Sequence, residues 1–134
     1  MGTLRVTTAE TVTIILSLPN RVLHPNCPVA SRGGRFKKAA AQKKQRGLAR
    51  TAVLAEGVST GPWEMSELQA TFFHAQDRRR DGSNYLHALK GAIDGIVDAG
   101  LMVDDDHRHL TELPPIFDID KAAPRVELAV TRVR

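Results

Sequence analysis

Apolar and polar positions along the chain change period several times, and each change marks a different element. Residues 11–18 (TVTIILSL) are rich in β-branched residues with a nearly continuous apolar centre, which predicts a strand in a sheet interior. Residues 19–34 carry Pro19, Pro25, Pro28 and two glycines, and predict a long irregular connection. Residues 35–55 are rich in alanine, lysine, arginine and glutamine, all good helix formers, with a weak apolar stripe through Phe36, Ala40, Gly47, Leu48, Thr51 and Leu54. Residues 64–74 alternate: Leu68, Ala70 and Phe72 fall on one side and Glu67, Gln69 and Thr71 on the other, the pattern of a half-buried strand.

Residues 84–99 give the clearest helix. Leu86, Leu89, Ile93, Ile96 and Val97 recur at spacings of three and four, Ser83 or Asn84 is placed to cap the start, and Gly100 to end it. Residues 107–113 predict a strand stopped by Pro114 and Pro115, and 126–133 a last strand. The order β-loop-α-β-α-β-β predicts one α/β domain over 1–134, a small mixed β-sheet packed with two main helices.

Composition narrows the partners. A 134-residue chain is long enough for one real core, and its 42% apolar and 25% charged residues are ordinary for a globular protein. No run approaches the length of a membrane span, Thr7, Thr8 and Glu10 interrupt any signal-peptide pattern, and the single cysteine, Cys27, excludes an intramolecular disulfide and a cysteine-rich zinc site. These features predict a cytoplasmic protein without a membrane partner, with Cys27 inert. The net charge of +4 favours an anionic partner, and Lys37, Lys38, Lys43, Lys44, Arg46 and Arg50 crowd one predicted helix with almost no counter-charge, as phosphate-backbone binding or a solvated face requires. The scarcity of Trp and Tyr, one of each, argues against a base-stacking single-strand binder.

The chemistry concentrates in 78–109. Arg78, Arg79 and Arg80 run into Asp81; Ser83, His87, Lys90 and Asp94, spaced four, three and four, form a polar stripe; Asp104, Asp105 and Asp106 follow the helix. Carboxylates suit Mg²⁺ or Mn²⁺, and nearby cations suit a phosphate. The same residues also describe a surface i, i+4 ion pair and a solvated acidic turn. His107 and His109 with Asp105 are a further candidate for a transition-metal site.

Taken together, RRRDGSN, then Lys90-xxx-Asp94, then DAGLMVDDD resemble the RusA family of Holliday-junction resolvases, small dimeric endonucleases of bacteria and their phages. The LPNRVLHPN stretch is similar to the proline-rich start of family members, ahead of a basic helix. The resemblance implies a homodimer that resolves four-way DNA junctions with Mg²⁺ in recombination and repair. It implies Asp81 and Asp105 as metal ligands, with Lys90 the third catalytic residue, on the phosphate side. Arg78, Arg79, Arg80, Lys37, Lys38, Lys43 and Lys44 are the expected contacts to branched DNA. Two features depart from the family pattern. Ser83 stands where a second aspartate is expected, which points to a non-catalytic junction-binding protein as the alternative. Lys90 follows Asn84 by six residues where the shorter family form has three, and with no gap His87 takes the lysine's place. Three added residues are nearly one helical turn, so Lys90 keeps the same side.

Overall fold

The computed structural model describes residues 10–25, 32–57 and 61–134. Cys27 and most of the expected glycine- and proline-rich connection around it lie outside them. The described elements are β1 (Thr11–Leu16), α1 (Arg32–Ala55), β2 (Ser66–His74), α2 (Gly82–His87), α3 (Lys90–Asp98), β3 (Leu110–Glu112), β4 (Ile116–Ile119) and β5 (Arg125–Arg132), with a short 3-10 turn at Arg21–Leu23. The α/β class, the mixed sheet and the two long helical regions are as the residue pattern predicts. Among the described residues no helix is long and apolar enough to cross a membrane.

The sheet runs β1-β5-β2-β3, and β4 also pairs with β2. Antiparallel β5 lies on one side of β2, while β3 and β4 follow each other in parallel along its other side. Pro114 and Pro115, which cannot donate to a ladder, separate the two short strands. Gln69 Nε2 spans the gap by donating to the Pro114 carbonyl at 2.7 Å. The alternation expected in β2 is observed, with Leu68, Ala70 and Phe72 buried. With Val126, Leu128 and Val130 of β5 they form the sheet side of the core, covered by Ala49 and Val53 of α1 and Ala92, Ile93 and Ile96 of α3.

Three expectations need correction. First, among the described residues β1 is an edge strand, not a central one. Within them it pairs only with β5, Val12 and Ile14 point inward, and Ile15 is 60% exposed. β-branched residues on both faces imitate a two-sided strand, but the pleat still sends alternate side chains outward. Second, the apolar stripe assigned to α1 faces solvent: Phe36, Leu48 and Leu54 are exposed, whereas Ala49 and Val53 are buried. Small residues do the packing, because α1 lies close against α3. Third, the expected helix over 84–99 is two helices, capped not by Ser83 or Asn84 but by Asp81, whose Oδ1 accepts from the amides of Ser83 (3.0 Å) and Asn84 (3.4 Å).

The break between α2 and α3 has a definite cause. The Leu89 amide turns back to the Leu86 carbonyl, three residues away instead of four. Gln45 of α1 then fills the ladder gap. Its Nε2 donates to the Ala88 carbonyl at 3.0 Å, and its Oε1 accepts from the Ala92 amide at 2.9 Å. One side-chain amide thus stands between the two backbone groups that a continuous helix would join directly. Gly91 and Gly95 let α1 come this near. A Cβ on Gly91 would lie 2.7 Å from the Gln42 carbonyl oxygen, and one on Gly95 would strike the Arg46 carbonyl oxygen. At the far end Gly100 adopts φ +84°, and the amides of Gly100 and Leu101 return to Val97 and Ile96 as in a Schellman ending.

Candidate functional site

Lys90 is the first residue of α3, so the helix break fixes where its side chain departs. Its Nζ donates to Asp94 Oδ1 at 3.1 Å and to Asp105 Oδ2 at 2.8 Å. The i, i+4 spacing supplies the first contact. The second depends on the Schellman ending, which reverses the chain and brings 101–106 back beside α3. The hydrogen bond to Asp105, seconded by Asp94, raises the Lys90 pKa above its ordinary value. Lys90 therefore stays a cation at neutral pH and is unsuited to act as a base. The same bond holds Asp105 below the usual carboxylate range, so Asp105 is ionised. The Asp104 side chain and the Asp105 backbone amide also bond the Asp105 carboxylate and lower its pKa further.

Lys90 and Asp105 line an open depression of about 650 Å³ together with Ser83, His87 and Glu112. Three members of the expected polar stripe therefore share one cavity in spite of the helix break. Lys90 also borders a neighbouring hollow toward α1, with Lys43, Arg46 and Asp94. The basic helix thus reaches the site through Lys43 and Arg46. Arg46 is anchored there by a bidentate pair with Asp98. Lys44 lies on another side of α1, in a groove with Leu16 and Leu48. Lys37 is exposed and Lys38 half-buried on the first turns.

The three aspartates after α3 have different tasks. Asp104 Oδ1 accepts from the Asp105 amide at 2.7 Å, Asp105 holds Lys90, and Asp106 pairs with His109 Nδ1 at 2.6 Å while capping the Arg108 amide. The bond from His109 lowers the Asp106 pKa. The strand expected from 107 begins only at Leu110, so His107 and His109 stand in a turn rather than on one strand face. His109 is bonded to Asp106, not directed at Asp105.

Asp81 faces elsewhere. It lines a hollow with Arg79 and Arg80 and a second cleft with Arg21, His24, His74 and Arg78, and neither includes Asp105. Among the described residues no group of three His, Cys, Asp or Glu side chains is placed to hold a metal ion. Mg²⁺, however, is commonly held by one or two carboxylates and completes its shell with waters and phosphate oxygens. Asp105 fits that role: it is ionised and opens onto a wide depression. Asp81 keeps Oδ2 free of partners among the described residues, its cap being made with Oδ1.

Four contributors escaped the sequence pattern. Glu112 joins the depression because β3 is short and its end is exposed, and Gln45 is legible only once α1 meets α3. His24 and His74, fifty residues apart, meet on the ring of Tyr85. A histidine closing an alternating strand was the only available signal for His74.

No family model matches the chain, and no curated protein matches it significantly.

Proposed function

We propose that the protein is a Mg²⁺-dependent, structure-selective endonuclease that cuts branched DNA, four-way junctions above all. The observation that carries this reading is the shared depression of Lys90, Asp105 and Ser83, adjoined by Lys43 and Arg46 from the basic helix. It joins the residues that the resemblance to junction resolvases singles out at Lys90 and Asp105. Asp81, which opens onto other cavities, would not share the ion. Asp105 would hold it, its shell completed by waters and phosphate oxygens, with Mn²⁺ an alternative. Bound there, it would supply stabilisation of charge on a phosphoryl oxygen and lower the pKa of a water.

The chain's own residues do the rest. Lys90, kept charged by its two aspartates, offers an ammonium to a phosphoryl oxygen that gains charge in the transition state. Asp94 and Asp105 hold that ammonium in position before DNA arrives. Arg78, Arg79 and Arg80 at one end, and Lys37, Lys38, Lys43 and Lys44 along α1, bind backbone phosphates without reading bases. A two-fold homodimer suits a substrate that needs two symmetric cuts, and the cytoplasm is where such DNA is met.

A second reading keeps the DNA binding and drops the cleavage. It is favoured by the separate cavities of Asp81 and Asp105 and by the uncharged Ser83 hydroxyl. A synthetic four-way junction separates the two: the nuclease cuts it with Mg²⁺ and stops with chelator, whereas the binding protein shifts it in a gel and never cuts.

A further inference from the structure

The 3-10 turn at Arg21–Leu23 folds over the start of α2 and leaves a cleft of about 490 Å³ that the Lys90–Asp105 chemistry does not use. Arg21 and His24 enter it from the turn, His74 from the end of β2, and Arg78 from the loop that follows. Arg78 is steered by Gln76, its Nη2 donating to Gln76 Oε1 at 2.9 Å. Arg80 beside it donates to the Tyr85 hydroxyl (3.1 Å) and the Gln76 carbonyl (2.9 Å). The carboxylate lining the cleft is Asp81, whose Oδ1 already accepts two backbone amides. Two guanidinium groups therefore face one partly satisfied carboxylate.

The imidazoles add to this excess of donors. His24 and His74 both pack against the edge or face of Tyr85, at 4.6 and 5.4 Å between centroids. His74 Nδ1 is buried and has no hydrogen-bond partner among the described residues. A buried imidazole nitrogen without an acceptor costs least when it carries no proton, so the proton belongs on Nε2, which becomes a donor. Burial lowers the pKa of both rings, and for His74 the charges of Arg80 and His24 add to the effect. A cleft with guanidinium and imidazole N–H groups on several walls calls for a ligand made of acceptors and negative charge.

We propose that this cleft is a phosphoryl-binding subsite, in which Arg21, Arg78, His24 and His74 hold one phosphate group of a nucleic acid away from the Lys90–Asp105 depression. A backbone phosphodiester and a terminal phosphomonoester present the same oxygens. The subsite does not depend on cleavage, so its failure leaves the Lys90–Asp105 reading untouched.

The test follows the five histidine imidazole signals of the whole chain by NMR, at constant ionic strength and pH 7. The additions are inorganic phosphate, an oligonucleotide without terminal phosphate, and the same oligonucleotide with a 5′-phosphate. Saturable shifts of His24 and His74, with His107 and His109 still, support the subsite; His87 reports the Lys90 depression separately. Shifts with the unphosphorylated oligonucleotide identify a backbone phosphodiester, and shifts confined to the 5′-phosphorylated one identify a strand end. Arg78→Gln with Arg21→Gln abolishes both shifts while the spectrum stays dispersed. Arg78→Gln alone weakens DNA binding evenly across sequences and lowers the salt slope by about 1. Equal shifts at all five histidines, no shift at His24 and His74, or an unchanged salt slope overturns the proposal.

Discussion

Lys90 is the residue on which the candidate site turns. It makes two contacts of 3.1 and 2.8 Å, yet its side chain remains 55% exposed. Exposed pairs of this kind contribute only about 0.2–1 kcal/mol each. Lys90→Met is therefore expected to leave the melting temperature nearly unchanged while lowering junction cleavage about a hundredfold, read from thermal unfolding beside a gel assay. Unfolding of the variant would make the lysine structural instead. Ser83 invites the opposite change. It is exposed in the first turn of α2, where the helix dipole favours a carboxylate. Ser83→Asp should fold at least as stably as the parent and raise the affinity for Mg²⁺, measured by calorimetry; a loss of stability with no gain in affinity would deny that position a metal role. Lys90, Asp94 and the acidic run were visible in the sequence because helical spacing places the first two together. The cavity of Asp81 was not, because capping and loop direction, not spacing, decide where that side chain points.

At the scale of elements, the break between α2 and α3 positions Lys90, and Gln45 holds it open. Gln45→Leu strands the Ala88 carbonyl and the Ala92 amide, so a loss of about 1–3 kcal/mol is expected from urea denaturation. An unchanged midpoint would mean the helix closes without Gln45. Gly95→Ala drives a methyl group into the Arg46 carbonyl and should cost about 1–3 kcal/mol by the same measurement. The alternation of β2 and β5 was readable because one buried face imposes a period of two. The helix break was not, because its cause is a side chain on another helix, forty-seven residues from Ala92 in the chain. β4 was also hidden: Ile116, Phe117, Asp118 and Ile119 are all exposed, so no alternation marks them. Likewise α1 packs through Ala49 and Val53, too small to stand out beside the exposed Phe36 and Leu48.

Across the whole molecule, charge and protonation link binding to stability. His24 and His74 fold with pKa values below the ordinary 6.5. The unfolded chain then binds more protons than the folded one from 6.5 down to the folded values, so stability rises with pH through that window and levels off above it. The melting temperature should be lower at pH 5.5 than at pH 7.5, and a chain carrying His24→Asn and His74→Asn should show a smaller difference. Asp105 acts in the same direction at lower pH, since its depressed pKa contributes stability above 3.8 that is lost on further acidification. The net charge of +4 and the basic faces of α1 and the Arg78–Arg80 loop favour an anionic partner; if that partner is DNA, as proposed, affinity should fall linearly in logarithmic salt.

Cleavage of a synthetic four-way junction by the protein and by Asp105→Asn, each with Mg²⁺ and with chelator, tests the endonuclease most directly. Paired symmetric cuts by the parent with Mg²⁺ are expected, none with chelator, and a rate about a hundredfold lower for the variant while its junction binding persists. Cleavage by the parent no faster than by Asp105→Asn would contradict it.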